Sequence, residues 1–394
     1  MPVPRTASCL SVSFRVIVET LLRRKRKGST RDWKDWPRKT VSVGAQAVRR
    51  ETPRRWKEWD NAPRMLSSTD KRTSISPEGS LPGEAGPTGF GQRMHDAFAV
   101  VLETGIEWLV LLSGHKVPKA EAPWLDCVVG KPGLIGSGIY QRIAETQHLE
   151  VSTPRNAGLV TDFNLLRGPS CDPDQVHPRI RHFYEHAAAY HLEVWSEVYL
   201  AGRFFLWLLV EFISRRMNQL NFPISSLEVA KGMTSEVVQL REPASGRLVY
   251  TGWLRRFKSN GKVIFAGIYS ETKLPGEATP CVKVTFPCRG SANVYLRPCS
   301  YADGSFGLVS TGGAFGSSGF YRLVEAGEDA WRVRNFKTLH EVFHVYVDKE
   351  DVLRTDHTIS FVGLTILRLH YKMTLAENAN KSERGGTEVS LQSQ

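Results

Sequence analysis

His182-Phe183-Tyr184-Glu185-His186 and His340-Glu341-Val342-Phe343-His344 each place two histidines four residues apart, with a glutamate beside one of them. On a helix, residues i and i+4 share a face, so both imidazoles reach one zinc ion while the glutamate activates its water. The chemistry would be metal-assisted hydrolysis. In the first stretch His182 and His186 would be the ligands and Glu185 the catalytic base. On a strand, i and i+4 also point one way, but about 13 Å apart at about 3.3 Å per residue. The element that carries each pentapeptide therefore decides whether it can hold a metal.

Val342, Phe343, Val345, Tyr346 and Val347 are β-branched or aromatic, and Asp348-Lys349-Glu350-Asp351 follows as a turn. The second pentapeptide is thus expected on a strand, and its match to H-E-x-x-H is read as chance. The first follows His177-Pro178, a proline suited to the opening turn of a helix. Over those five residues it resembles the inverted zinc peptidases, the insulinase-like family. The resemblance implies a third ligand from a downstream glutamate. Here His191 and Glu193 are the local alternatives, Glu193 lying on nearly the same helical face as His186. The competing reading, preferred here, is a helix whose polar side carries His182, Glu185 and His186 while Phe183 and Tyr184 pack inward. No catalytic residue or cofactor is assigned, with zinc on His182 and His186 kept as the alternative.

Other chemistry has less support. Gly130-Lys131-Pro132-Gly133-Leu134-Ile135-Gly136-Ser137-Gly138 precedes a helix, where a phosphate could bind. It lacks a closing Gly-Lys-Ser/Thr, and Gln141 stands where G-x-G-x-x-G needs glycine. Gly312 to Gly319 lies between strands. No Gly-x-Ser-x-Gly elbow is present. Asp356-His357 and Asp162 have no third partner legible in the sequence. The six cysteines include no C-x-x-C pair. Cys281, Cys288 and Cys299 lie on or near neighbouring strands, and buried free thiols are the default.

The elements that would position these residues divide the chain. From about Ser235 to Met373, apolar and polar residues alternate: Val263 to Tyr269, Val282 to Phe286 and Phe343 to Val347 are such runs. Asn260-Gly261, Pro275-Gly276, Asp303-Gly304 and Asp348 to Asp351 separate them as hairpin turns do. The preceding part reads as helical: Ala97 to Leu112, Ser137-Gly138 through His148, and a long region from His177 to about Asn218. Its apolar stripe is Ile180, Phe183, Tyr184, Ala187, Tyr190, Val194 and Val198. The expected fold is α+β, with N-terminal helices packed on a curled antiparallel β-sheet or partly open barrel. A disordered basic tail precedes it. The expected divisions are a leader and linker at 1–93, a mainly helical part at 94–232, an antiparallel part at 233–374 within the same globule, and a disordered tail at 375–394.

Charge sharpens that division. The chain has 52 Lys and Arg against 40 Asp and Glu. Residues 1–93 hold 20 of the basic and 9 of the acidic ones, so +11 of the net +12 sits there. Basic runs such as Arg23 to Lys27, interleaved with Trp33, Trp36, Trp56 and Trp59, could meet an acidic membrane or nucleic acid. The preferred reading is a disordered leader outside the working protein, with Met94 as an internal start. Nucleic acid is not expected to touch the globular part. The segment Ser11 to Leu22 has the wrong polarity for a secretory signal, and no run approaches the roughly 20 apolar residues of a membrane helix. A cytoplasmic protein is expected, with peripheral membrane contact as the alternative.

Three pieces together, Val176 to Arg181 running into His186, Asn218 to Pro223, and Phe361 to Tyr371, resemble an uncharacterised bacterial family over about residues 125–374. That resemblance implies no activity, cofactor or catalytic residue. The functional expectation comes from architecture: a curled sheet with apolar helix against it can enclose an apolar small molecule or lipid. Phe204 and Trp207, within Phe204 to Val210, would form an apolar wall. Phe257, Phe265, Tyr269, Tyr295 and Phe306 would line the sheet side. The expectation is a non-catalytic binding module, with a zinc hydrolase as the alternative.

Overall fold

The computed structural model describes residues 104–129, 138–199, 232–288 and 290–376. The chain divides into Met1–Ala85 and Gly86–Gln394, and every described residue belongs to the second unit. The expectations for the basic leader, for the loop at 130–137, for Phe204 and Trp207 and for 377–394 lie outside the described residues.

Fourteen strands dominate the described residues. They are β1 (His115–Pro118), β2 (Glu150–Ser152), β3 (Tyr190–Val198), β4 (Met233–Arg241), β5 (Leu248–Phe257), β6 (Val263–Thr272) and β7 (Cys281–Cys288), then β8 (Gly290–Ser300), β9 (Phe306–Val309), β10 (Gly319–Glu325), β11 (Ala330–Asn335), β12 (Leu339–Val347), β13 (Leu353–Phe361) and β14 (Leu364–Leu375). Every pairing is antiparallel, in the order β2-β4-β5-β6-β7-β8-β9-β12-β13-β14-β3, and β10, β11 and β1 branch from β8. The four turn segments read from the sequence all fall between consecutive strands. Gly261 and Gly304 take positive φ values of 69° and 81°, which glycine adopts without a Cβ penalty.

The sheet curls. β3 ladders only on β14 yet also lies against β4, so the far ends of the open sheet meet without hydrogen bonds between them. One hydrophobic core lies on the concave side and draws Val194, Val237, Trp253, Val284, Val294, Leu308, Val345, Ile359 and Leu369 from strands all around it. Ile180, Phe183 and Tyr184 of the Pro178–Glu185 helix enter the same core. On the opposite face, the Ile139–Gln147 helix packs Ile139, Tyr140, Ile143 and Ala144 against β4, β5 and β6. A third cluster joins Trp124 and Leu125 to Tyr295, Tyr321, Trp331 and Val333.

The long helix expected from His177 to Asn218 is corrected. Helix runs only from Pro178 to Glu185, a 3-10 turn covers Ala187–Ala189, and Tyr190–Val198 is a strand. Tyr190, Val194 and Val198 recur every four residues, a spacing that fits one face of a helix and one face of a strand equally. The alternation of buried Tyr190, Leu192 and Val194 with exposed neighbours belongs to the strand. Residues 104–113 are helical, and the Ile139–Gln147 helix runs between Gly138 and His148 as its spacing predicts. No helix among the described residues is long and apolar enough to cross a membrane.

Candidate ligand-binding site on the concave face

The two histidine pentapeptides part company. His340-Glu341-Val342-Phe343-His344 lies wholly within β12, as its residue types predict. Its histidines have separate partners: His340 Nδ1 lies 3.3 Å from the Ser310 carbonyl, and His344 Nε2 lies 3.0 Å from Ser305 Oγ. His182-Phe183-Tyr184-Glu185-His186 ends the Pro178–Glu185 helix, with the two imidazole centroids 4.6 Å apart. His182 Nδ1 lies 2.9 Å from the Tyr190 hydroxyl, and His186 Nδ1 donates to the Asn156 carbonyl at 3.0 Å. Desolvation, then neighbouring His186, lowers the His182 pKa below its ordinary 6.5. Each imidazole is thus anchored through Nδ1, as metal-binding histidines commonly are. Zinc needs further donors, and among the described residues no group of three His, Cys, Asp or Glu converges. Glu185 is occupied otherwise: its Oε1 accepts the Phe163 N–H at 2.8 Å and fastens the 3-10 turn Phe163–Leu166 to the helix. Glu193, the local alternative as third ligand, lies on β3 with Lys372 3.7 Å away.

The aromatic candidates divide between the sheet's two faces. Thr251, Trp253 and Arg255 of β5 stand opposite Tyr269, Gly267 and Phe265 of β6, and side chains two apart on a strand share a face. Trp253, Phe265 and Tyr269 accordingly cluster, with centroids 5.9 Å apart for Trp253–Phe265 and for Trp253–Tyr269. Phe286 joins Phe265 at 5.3 Å and Phe183 joins Trp253 at 6.4 Å. Phe257 and Phe306 are buried in the same core. Tyr295 is elsewhere. It pairs with Lys283, on the face away from Val284 and Tyr269, and its hydroxyl donates to the Trp124 carbonyl at 2.9 Å. Its expected place beside the β6 aromatics is therefore corrected: alternation within β8 turns it to the other side.

At the centre of the aromatic cluster is a residue the sequence reading passed over. Arg255 is 8% exposed. Its guanidinium carbon lies 4.4 Å from the Trp253 ring centroid, 4.5 Å from Phe265 and 5.5 Å from Tyr371. Nη1 donates to the Tyr371 hydroxyl at 3.2 Å, whereas Nε has no hydrogen-bond partner. Among the described residues no carboxylate lies within ion-pair distance of it. Taking an ion out of water costs several kcal/mol. Stacking on an aromatic face returns about 2 kcal/mol when desolvated. The aromatic rings offset part of the cost, and the Nε–H donor stays unmet.

Around this cation the polar groups are few. Burial pushes the Tyr269 phenol well up; Arg255 opposes that shift while Glu341 and Tyr371 add to it. Tyr269 is therefore a neutral hydroxyl within electrostatic reach of both a cation and an acid. Glu341 turns to His357, with Oε2 3.4 Å from Nε2, and His357 stacks on Phe343 with centroids 3.8 Å apart. These groups present hydroxyls, one buried cation and aromatic walls. Asp162, a candidate acid in the sequence, instead caps a 3-10 turn through Asn164 N at 2.8 Å. Asp356 binds His370 at 2.7 Å and leaves its sequence neighbour His357 on the other face.

A cleft of about 200 Å³ opens where Pro154–Thr161 and Glu185 meet Gln239, Arg241, Leu248 and Thr251. Thr251 shares its strand face with Trp253 and Arg255, so the cleft lies roughly 13 Å from Arg255 along β5. The signal for Arg255 was present in Thr251-Gly252-Trp253-Leu254-Arg255-Arg256-Phe257. Adjacent residues on a strand point to opposite faces, so where one face is packed one of the two arginines turns inward. No family model matches this chain, and neither a curated protein nor a solved structure matches it.

Proposed function

We propose that this protein is a binding module for an apolar small molecule or lipid, held against the concave face of the sheet. The observation that carries the reading is the state of Phe265, Tyr269, Phe286 and Phe343. All four pack on the concave-face core, yet each keeps accessible surface that the described residues leave uncovered. Large apolar side chains turned inward but not filled over are what a ligand of matching polarity would cover. The groups on this face, a buried cation, hydroxyls and aromatic rings, are those of a binding surface.

Native mass spectrometry of the full chain, purified without chelator, tests the reading. An organic adduct released by denaturation is the expected result. Protein mass plus zinc, with the zinc lost in His186→Ala, would replace this reading with the hydrolase. A bare polypeptide that binds neither dodecan-1-ol nor dodecanoate would overturn it.

A further inference from the structure

A guanidinium has five N–H donors in a planar fork. In Arg255 one hydrogen bond is made, to Tyr371, and Nε is buried with no partner. Trp253 and Phe265 crowd the guanidinium from two adjacent sides, and its N–H donors point outward in the plane of the fork. That direction suits a carboxylate, whose two oxygens accept parallel N–H bonds from one guanidinium.

Among the described residues none supplies a carboxylate to Arg255. Glu341 is directed at His357, and the Tyr371 hydroxyl already accepts from Arg255. Tyr269 stays protonated through burial and can donate a hydrogen bond to an anion beside the guanidinium. The walls next to this polar end are Phe265, Phe286 and Phe343, which fit an alkyl or ring body. One guanidinium charge balances one carboxylate charge, whereas a phosphate dianion would leave a second charge buried.

We infer that Arg255, assisted by the hydroxyls of Tyr371 and Tyr269, binds the carboxylate of a monoanionic amphipath whose apolar body lies on the aromatic concave face. The inference rests on the proposed binding function and adds the ligand class. Arg255 also links β5 to β14 across the closure of the sheet through Tyr371. A purely structural clasp would show no preference among ligands, and the experiment uses that difference.

Dodecanoate and dodecan-1-ol, which share an alkyl body, are titrated below their aggregation limits into the full-length protein. Tryptophan fluorescence and calorimetry follow binding. Wild type is expected to bind dodecanoate about tenfold or more tightly than the alcohol. Arg255→Met should remove that preference by weakening dodecanoate alone. Tyr371→Phe, which keeps the ring and the cation, should reduce the preference by a smaller factor and serves if Arg255→Met does not fold. Equal binding of acid and alcohol by wild type would overturn the role of Arg255 while leaving the binding module standing. Failure of both to bind would overturn the binding module itself, and the inference with it.

Discussion

Glu185 shows how a residue with catalytic credentials can be held by structure. Its carboxylate accepts the Phe163 N–H at 2.8 Å, a bond between the end of one helix and the start of the 3-10 turn Phe163–Leu166. Glu185→Ala is expected to destabilise the protein by about 1–2 kcal/mol through the orphaned donor, and Glu185→Gln by less than half of that. Urea unfolding of the two variants checks it, and equal losses would contradict the assigned bond. His370 carries a pH dependence. The Asp356 carboxylate at 2.7 Å holds its pKa above the ordinary 6.5; burial opposes the shift and Glu197 reinforces it. A raised folded-state pKa means that its stabilisation is complete below the unfolded value and is lost as pH rises through the folded one. His370→Gln should flatten that loss. Urea midpoints of wild type and variant between about pH 5 and 9 report it.

Elements depend on where the backbone must come close. Gly252 faces Tyr140 of the Ile139–Gln147 helix, where an added Cβ would lie 2.2 Å from the ring. The Tyr140 hydroxyl lies 3.0 Å from the carbonyls of both Trp253 and Gly267, sharing its one proton between β5 and β6. Gly252→Ala should displace this helix and cost about 1–3 kcal/mol, measurable by thermal unfolding. At the β13–β14 hairpin the sequence is less well fitted. Val362 and Gly363 both have positive φ, 52° and 80°, as a two-residue type I′ turn requires. A β-branched residue is strained there. Val362 is 62% exposed, so its side chain contributes little packing to set against that strain. Val362→Asn should stabilise the protein by about 0.5–1 kcal/mol, and an unchanged or lower melting temperature would contradict the turn assignment. This turn was not among those read from the sequence, because valine before glycine carries no turn signal.

For the whole molecule, the decisive pairing is that of β3 with β14 from Leu367–Val198 to Leu375–Tyr190. It carries a strand from the first half of the chain into the sheet of the second and completes the concave core. Residues 233–376 alone would expose the β14 edge and the apolar side chains that β3 and the Pro178–Glu185 helix cover. That fragment is expected to remain unfolded or to aggregate, as far-UV circular dichroism and size-exclusion chromatography would show. A soluble fragment with cooperative unfolding would make β3 dispensable.

The sequence by itself determined the features that depend on neighbours along the chain. Alternation of period two and turn residues such as Asn260-Gly261 and Asp303-Gly304 specify the hairpins, because strand geometry and positive-φ preferences act over a few residues. The same locality placed His340 and His344 on a strand and so separated them. Only the tertiary structure decided matters that depend on distant partners. Tyr190 to Val198 is a strand because β14 offers an edge to it, and its four-residue apolar spacing fitted either element. Tyr295 faces away from Tyr269 because register across β6, β7 and β8 sets the side of each residue. Arg255, one of two adjacent arginines in the sequence, is the buried cation because curling of the sheet surrounds that face with Trp253, Phe265 and Tyr371 and leaves its neighbour Arg256 to pair with Glu236.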